Sequence, residues 1–255
     1  MKILAVGDFH GKFLIKKEFL QKNKIDIIIS QGDFPSSEKI RDLIFGNWKR
    51  YRKGETLEEI VGKKQWKKML KDDIESQQIV LKKLDSLNIP VFIVFGNAEH
   101  RNEIEKFLKK SKNIKYIGSK KIKFNGYYFV GIDCASNETP HQMQKNLEKI
   151  KKLATSIGPL ILLTHEPPFN TEFDIVRNKE SPKDGEHVGN KFVRRIIMES
   201  KPLLNVFGHM HEYFGKQKFG KSLLVCAGYG HDGQATIINL NNEIKIELVN
   251  LEKNS

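Results

Sequence analysis

Five short polar motifs, each placed directly after an apolar stretch, constrain the fold and the chemistry of this chain more than any other feature of its sequence. They combine Asp, Asn and His with glycine, and none of them contains cysteine. Asp, Asn and His supply the oxygen and imidazole ligands of catalytic metals. Five such motifs in series predict an enzyme built around metal ions. The motifs are Gly7-Asp8-Phe9-His10-Gly11, Gly32-Asp33, Gly96-Asn97-Ala98-Glu99-His100, Thr164-His165-Glu166 and Gly208-His209-Met210-His211.

The apolar stretches are rich in β-branched residues and predict buried strands. Continuous apolar runs are typical of strands in a sheet that helices cover. They span residues 3–6, 25–30, 91–95, 127–132, 160–163, 203–207, 223–227, 235–240 and 244–249. Helical patterns lie between several of them, at residues 12–22, 36–45, 56–87, 102–110, 139–156 and 189–200. This alternation predicts a layered α/β fold.

The last part of the sequence predicts antiparallel hairpins, because the runs between residues 223 and 249 are joined by short connections such as Asn241-Asn242. The sequence contains no internal repeat and no low-complexity linker. We therefore expect a single domain over residues 1–255, with a basic helical insertion at about residues 35–90.

The chain is strongly basic, with a formal net charge of +13 and a pI near 9.5. A basic surface attracts phosphate-bearing partners, including nucleic acid and nucleotides. A lysine-rich surface that is only solvated explains the same charge. Both interpretations stay open at this point.

The expected insertion mixes aromatic and basic residues, since Trp48, Tyr51 and Trp66 are interleaved with lysines and arginines. Such a mixture could form a surface that follows a phosphate backbone and stacks bases. The favoured interpretation is an amphipathic helix whose aromatic residues face the core and whose lysines face solvent.

The sequence argues against a membrane protein or a secreted one. No apolar stretch approaches the roughly 20 residues that span a bilayer, and the first residues run directly into a predicted strand. Cys134 and Cys226 are the only cysteines and form no CxxC pair, which argues against a disulfide scaffold or a zinc finger. We expect a cytoplasmic protein with two buried free thiols and no membrane partner.

The candidate metal ligands all follow predicted strands. In α/β sheets, ligands bind at the carboxyl ends of the strands, where loops bring side chains together. Seven ligands are too many for one ion and suit two ions that share a carboxylate. In a two-metal site the ions lie about 3.5–4 Å apart and generate a hydroxide that attacks phosphorus in line. The candidates are Asp8, His10, Asp33, Asn97, His165, His209 and His211.

This set of motifs resembles the calcineurin-like metallophosphoesterases, and a prokaryotic subgroup of them in particular. The resemblance runs from Met1 to about Leu240 and rests on the Asp-x-His, Gly-Asp, Gly-Asn, later His and Gly-His-x-His elements. It implies two stacked mixed β-sheets flanked by helices, a four-layer αββα sandwich. It also implies one metal held by Asp8, His10, Asp33 and His211, and a second held by Asp33, Asn97, His165 and His209, with Asp33 bridging.

The activity that the resemblance implies is hydrolysis of phosphodiester or phosphomonoester bonds with two divalent metal ions. Manganese is the first candidate for these ions, and iron, nickel, cobalt and zinc are alternatives, because a mixed oxygen and nitrogen site admits several metals. The expected partner is a phosphate-ester substrate. The alternatives are a nuclease or phosphodiesterase directed at nucleic acid, and a catalytically weakened regulatory protein that binds metal and phosphate.

The sequence departs from the family pattern at Ala98, where the family usually has a catalytic His directly after the Asn. His100 lies two residues later, and His187 opens a predicted helix, where backbone N–H groups favour phosphate. We therefore take His100, His187 and Asn97 as catalytic candidates, and His187 and Asn97 also as substrate-binding candidates. Glu99 is expected to support Asp33 from the outer shell of the site.

Overall fold

The computed structural model of the chain describes residues 1–134, 140–155, 158–179, 181, 183–241 and 243–253. Within these ranges twelve strands form two six-stranded sheets. The strands are β1 (Lys2–Ala5), β2 (Ile27–Ser30), β3 (Val91–Ile93), β4 (Ile114–Tyr116), β5 (Lys121–Phe124), β6 (Tyr127–Ile132), β7 (Leu160–Thr164), β8 (Leu204–Phe207), β9 (Gly215–Phe219), β10 (Ser222–Cys226), β11 (Gln234–Leu240) and β12 (Ile244–Asn250).

Helices connect many of these strands, and four of the helices lie between β2 and β3. We call those four, which span residues 38–85, the helical segment. The helices are α1 (Lys17–Asn23), α2 (Glu38–Gly46), α3 (Trp48–Tyr51), α4 (Leu57–Val61), α5 (Lys63–Asp85), α6 (Arg101–Leu108), α7 (Pro140–Ala154) and α8 (Lys191–Ser200).

Both sheets are mixed. The first has the order β12-β11-β1-β2-β3-β4, in which β1 to β4 are parallel and the β11–β12 hairpin is antiparallel. The second has the order β5-β6-β7-β8-β10-β9, in which β6, β7, β8 and β10 are parallel and the two edge strands are antiparallel. Parallel neighbours place their carboxyl ends at one edge of each sheet.

The two sheets pack face to face and helices cover their outer faces. Ile29 and Phe92 of the first sheet share an apolar cluster with Phe129 and Leu163 of the second. The outer face of the first sheet packs against α1, α5 and α6, and that of the second sheet against α7 and α8. The predicted αββα sandwich is confirmed.

Each of the nine predicted strand regions contains a strand, and three further strands were not predicted. Those three, β4, β5 and β9, all lie at the edge of a sheet. Two of them read Lys121-Ile-Lys-Phe124 and Gly215-Lys-Gln-Lys-Phe219, with lysines that keep exposed edges from pairing with other chains. Their short length and their charge hide the apolar signal of a strand.

The hairpin prediction for the end of the sequence was right for β11 and β12 and wrong for β10. Strand β10 pairs in parallel with β8 and antiparallel with β9, in the other sheet. Residues 227–233, which include a 3₁₀ turn at Gly230–Asp232, carry the chain from the second sheet to the first.

Three helix predictions also need correction. The helix predicted at 56–87 is interrupted at Gly62, whose φ of +84° is left-handed, so that α4 and α5 are separate. The helix predicted at 12–22 begins only at Lys17. The helix predicted from residue 189 begins at Lys191. The Asn190 side chain caps this helix by accepting hydrogen bonds from the backbone N–H groups of Phe192 and Val193.

The favoured interpretation predicted that the aromatic residues of the helical segment face the core, and for two of them this is wrong. Trp48 is 47% exposed and Tyr51 is 42% exposed. Phe45, Trp48 and Tyr51 instead stack on one another outside the core, with successive ring centroids 6.1 and 6.4 Å apart. Cys134 and Cys226 are buried and form no disulfide bond with each other, as predicted.

Candidate metal centre

The predicted ligands leave both sheets at the carboxyl ends of parallel strands. Asp8, Asp33 and Asn97 follow the neighbouring strands β1, β2 and β3 of the first sheet. His165 follows β7 directly, and His209 comes two residues after its neighbour β8. Because the two sheets are stacked, these loops meet between them at one end of the sandwich.

The carboxylate of Asp33 lies at the middle of the group. Its Oδ2 atom is 3.7 Å from His10 Nε2 and 3.7 Å from His165 Nε2. On one side, His10 Nε2 is 3.3 Å from His211 Nε2. On the other side, His165 Nε2 is 2.9 Å from Asn97 Oδ1.

Asp8 lies close to ligands on both sides of Asp33. Ligand atoms of Asp8, His10 and His211 lie within 4.8 Å of one another, and so do those of Asp8, Asp33 and His165. The His209 Nδ1 atom is 3.0 Å from His165 Nε2 and completes the second side. All seven predicted ligands are therefore part of one connected group.

The donor atoms fit divalent cations. Nitrogen and oxygen ligands held about 2.0–2.2 Å from one ion lie roughly 3–4 Å from each other, and the distances between the ligand atoms of this group run from 2.9 to 3.8 Å. The Oδ1 atom of Asp8 is buried and accepts no hydrogen bond within the described residues. The Nε2 atom of His211 lies 3.8 Å from this oxygen. A buried carboxylate oxygen without a donor calls for a cation.

Four of the predicted ligands have a strained backbone. Asp8, His10, Asp33 and His209 have φ angles between +41° and +73° although none of them is glycine. The left-handed region costs a non-glycine residue about 1–2 kcal/mol, and such strain concentrates at functional sites. The strain is held in place by hydrogen bonds, including the one from the Asp8 N–H to the Gly32 carbonyl at 2.8 Å.

Hydrogen bonds from neighbouring groups orient the ligands. His165 Nδ1 bonds to the carbonyl of Gln31 at 2.7 Å, which turns Nε2 toward Asp33. The Oδ1 atom of Asp33 accepts the backbone N–H groups of Asn97 and Ala98 at 2.9 and 3.1 Å. The Glu99 carboxylate accepts the Asp33 backbone N–H, which is the kind of supporting contact expected of Glu99.

The charges of the site conflict while no cation is bound. Burial raises the pKa of Asp8 to about 7. Burial lowers the pKa of His209 to about 4 and that of His211 to about 3, and neighbouring imidazoles add to this effect. Burial also opposes a charge on His165, but the Asp33 and Asp8 carboxylates prevail and raise its pKa to about 9. Cations would replace these protons as the partners of the carboxylates.

Two glycines allow the loops to approach so closely. A Cβ atom on Gly96 would collide with Asp33 Oδ1 and with the His165 ring. A Cβ atom on Gly208 would collide with Asp8 Oδ2. Glycine in these motifs is therefore required by space rather than by an unusual φ angle.

The structure brings His100 to the site. His100 lines the cavity beside the metal ligands, and its Nε2 atom is 2.7 Å from Asp73 Oδ2 on α5. Asp73 is buried, and its other oxygen accepts the Ser37 N–H at 2.6 Å. The backbone N–H of His100 donates to Gln77 Oε1 at 2.9 Å. The sequence did not single out Asp73 or Gln77, because they lie in a helix far from every motif.

The structure does not bring His187 to this cavity. Its Nδ1 atom is 2.7 Å from Asp174 Oδ1 and its ring packs against Phe169. Among the described residues, the cavity lining does not include His187. It also precedes the Asn190 cap by three residues, so it does not open the helix as predicted.

A cavity of about 620 Å³ lies between the metal ligands and the helical segment. Its lining includes Asp33, Asn97 and His100 on one side. On the other side it includes Arg41 of α2 and Trp66 of α5. The position of Arg41 was not predicted, because no pattern in the sequence distinguishes it from the many other basic residues of the segment.

A family model for calcineurin-like phosphoesterases matches residues 1–213 of the chain. The chain belongs to this family. The match covers all five motifs, and two groups that could hold a metal ion lie among them, namely Asp8, His10 and His211, and Asp8, Asp33 and His165. The uncharacterized protein MJ1162 of Methanocaldococcus jannaschii is 30% identical over 156 residues, which are 57% of this chain and 68% of that protein.

Solved structures share the fold at low identity. The structure of TT1561 of Thermus thermophilus is 16% identical, with a TM-score of 0.57 and 98% of both chains covered. Purple acid phosphatase PPD1 from yellow lupin seeds is 11% identical, with a TM-score of 0.57, and 100% of this chain covers 52% of that one.

In the described part of the chain, no helix is long and apolar enough to cross a membrane.

Proposed function

We propose that the protein is a dinuclear metal-dependent phosphoesterase that hydrolyses phosphomonoester or phosphodiester bonds. One observation carries the proposal, namely the position of Asp33 Oδ2 at 3.7 Å from His10 Nε2 and from His165 Nε2. A single carboxylate oxygen equally distant from two imidazole groups is suited to bridge two ions. Membership of the calcineurin-like phosphoesterase family supports the same reaction class.

In this proposal each ion has four protein ligands, and Asp33 belongs to both sets. Manganese is the first candidate metal, and iron, nickel, cobalt or zinc would suit the same mixed donors. Two bound ions supply Lewis acidity that activates water near neutral pH and neutralises the charge on phosphate oxygens. The sets are Asp8, His10, Asp33 and His211 for one ion, and Asp33, Asn97, His165 and His209 for the other.

Asn97 and His100 would handle the substrate. Asn97 is exposed, and with its Oδ1 atom toward His165 its Nδ2 group is left to donate to a phosphate oxygen. With Nε2 of His100 on Asp73, the proton for the leaving oxygen is the one at Nδ1. The Asp73 carboxylate orients the ring. His100 thereby replaces the His that the family usually has at the position of Ala98.

The experiment is a panel of generic phosphomonoester and phosphodiester substrates, each with Mn, Ni, Co, Fe, Mg or Zn. We expect turnover with at least one metal and a loss of at least about 100-fold in His165→Ala, because one ion loses a ligand and loss of an outer-shell partner alone costs about 10–100-fold in metal affinity or activity. His187→Ala is the matched control and should keep its activity, since His187 bonds to Asp174 outside the cavity lining.

Two outcomes would count against the proposal. Unchanged metal-stimulated turnover in His165→Ala would refute the assignment of the site. Metal binding without turnover of any substrate in the panel would favour the alternative of a weakened regulatory protein that keeps the site and has lost the chemistry.

Nucleic-acid hydrolysis is a second candidate function, favoured by one observation. Phe45, Trp48 and Tyr51 form an exposed aromatic stack, and the Arg52 guanidinium lies 6.0 Å from the Trp48 ring centroid. Exposed aromatic rings beside basic groups are the elements that stack single-stranded bases. The net charge of +13 agrees with such a partner.

Binding of a single-stranded oligonucleotide at increasing salt would test this second candidate. A nucleic-acid surface predicts tight binding at low salt, a steep loss on adding salt, and roughly tenfold weaker binding or more in Trp48→Ala. Ile79→Ala removes another exposed apolar side chain, one on α5, and is the control. Absence of binding at low salt would refute nucleic-acid hydrolysis as a function of this protein.

A further inference from the structure

The cavity beside the metal ligands has an apolar wall supplied by the helical segment. Ile40, Ile44 and Phe45 come from one face of α2, and Trp66 and Leu70 come from one face of α5. Ile40 and Ile44 are four positions apart, as are Trp66 and Leu70, and this spacing of about one helical turn places each pair on one side of its helix. Phe45, next to Ile44, also lines the cavity. The opposite side of the cavity carries the polar residues of the metal centre.

These apolar side chains are not part of the protein core. Helix α2 buries none of its residues, and Phe45 is 66% exposed. Helix α5 is divided in this respect: its second half inserts Val80 and Leu84 fully into the core, whereas its first half directs Trp66 toward the cavity. Apolar surface that the fold does not bury, rimmed by polar residues, is typical of a binding site.

Arg41 is the one basic residue with a long side chain among the described residues that line this cavity. None of the ion pairs found in the described part of the chain includes it. Acidic residues of the same lining, among them Asp33 and Asp73, are engaged by other partners. A guanidinium at the rim of a metal centre is suited to pair with oxygens of phosphate.

We propose that the cavity binds a phosphate ester whose organic group is apolar and about the size of an aromatic ring. The phosphoryl group lies at the metal centre within reach of Arg41, and the organic group contacts Ile44, Phe45 and Trp66. This inference rests on the proposed function, because that function places the phosphoryl group. The five apolar side chains select against a polar organic group, whose hydrogen-bonding groups would lose water without replacement.

Binding of two phosphonates to the manganese-loaded protein tests the inference without turnover, because their P–C bond is not an ester bond. Phenylphosphonate and methylphosphonate carry the same charged group and differ only in the apolar part. We expect phenylphosphonate to bind at least about tenfold more tightly, as burial of a ring-sized apolar group implies. Isothermal titration calorimetry gives both dissociation constants.

The chain provides its own fluorescent reporter. Trp48 and Trp66 are its two tryptophans, and only Trp66 lines the cavity. In Trp48→Phe, the remaining emission comes from Trp66, and phenylphosphonate should change it with the dissociation constant that calorimetry gives. Methylphosphonate should change it much less.

Matched variants separate the two parts of the ligand. Ile44→Ala should weaken binding of phenylphosphonate several-fold and leave methylphosphonate unchanged, whereas Leu43→Ala, next to it on α2 and outside the cavity lining, should change neither. Arg41→Gln should weaken both ligands about tenfold or more, since a charge-assisted hydrogen bond is lost. Lys39→Gln makes the same charge change in α2 outside the lining and is its control.

The outcomes distinguish this inference from the proposed function. Equal affinity for the two phosphonates, or no effect of Ile44→Ala, would overturn the apolar ligand while metal binding and generic ester hydrolysis persist. Failure of the protein to bind any of the divalent metals of the panel would instead overturn the proposed function. Displacement of phenylphosphonate from Trp66 by a single-stranded oligonucleotide at equal phosphate concentration would also overturn the inference, because it would assign the cavity to nucleic acid.

Discussion

Replacing Asp33 with Asn changes one atom of the proposed bridging carboxylate and keeps its shape. The amide oxygen can still accept the N–H groups of Asn97 and Ala98, which now bond to Asp33 Oδ1. An NH₂ group then stands where Oδ2 lies 3.7 Å from both His10 and His165. We expect the fold to survive and both ions to lose an anionic ligand.

The expected loss of metal affinity follows from the number of ions that share Asp33. Loss of even an outer-shell partner costs about 10–100-fold in metal affinity, so each ion should bind at least about 100-fold more weakly. At a manganese concentration of about 100 times the wild-type dissociation constant, a single site stabilises the wild type by about 2.7 kcal/mol and the variant by about 0.4 kcal/mol. In a chain of this length, the manganese-induced rise in Tm should therefore fall from about 5–10 °C to about 1–2 °C.

Differential scanning fluorimetry with and without manganese measures this change, and calorimetry gives the number of bound ions. Asp85→Asn is the matched control, because Asp85 also accepts backbone N–H groups, from Lys112 and Asn113, at a site without metal ligands. Its manganese response should equal that of the wild type. A stoichiometry of two ions and an unchanged Tm rise in Asp33→Asn would refute the bridging role.

Three further predictions concern the acid, the glycine contacts and pH. His100→Gln should lower kcat by about 10²–10⁴-fold for an ester with a poor leaving group and far less for a nitrophenyl ester, which needs no proton; an equal loss for both would refute the role of an acid. Gly96→Ala should lower the free energy of unfolding by about 1–3 kcal/mol, measured by chemical denaturation, because the new Cβ atom collides with Asp33 and His165. Gly46→Ala on α2 is the control and should cause no such loss, since its Cβ atom meets open space. In the metal-free protein, the pKa of His165 is raised to about 9 by nearby carboxylates, and that of Glu99 to about 8 by burial. The folded state therefore holds more protons than the unfolded chain between about pH 6.5 and 8. As a result, Tm should fall by several degrees as pH rises through this window. A flat or rising Tm would contradict these pKa shifts.

The sequence predicts the grouping of the candidate metal ligands well, because each of them is tied to a feature that the sequence reveals. An apolar run predicts the strand, and a glycine such as Gly208 marks the place where the chain turns and another loop approaches. Once the strands are parallel neighbours, as β1, β2 and β3 are, their ends must meet. The grouping of Asp8, Asp33 and Asn97 then follows from topology with little freedom left.

The substrate side of the site could not be predicted in the same way. His100 contacts Asp73, which is 27 positions earlier in the chain and belongs to a helix with no motif. The orientation of Trp66 toward a cavity and of Val80 toward the core depends on where α5 leaves the sheet. Both residues occupy apolar positions of one amphipathic helix, and periodicity alone assigns both to the core.

The candidate metal ligands have two features that lower the stability of the folded chain and that bound cations would offset. Four non-glycine ligands are held in the left-handed region, at a cost of about 1–2 kcal/mol each. Asp8 buries a carboxylate oxygen that accepts no hydrogen bond among the described residues, and Glu99 does the same. Neither feature improves packing, and substitution of a carboxylate with a small neutral residue would relieve the second of them. Variants such as Asp8→Ala should therefore have a higher free energy of unfolding than the wild type without metal and a lower one with metal. This reversal of the stability order distinguishes a metal centre from a polar cluster that stabilises the fold.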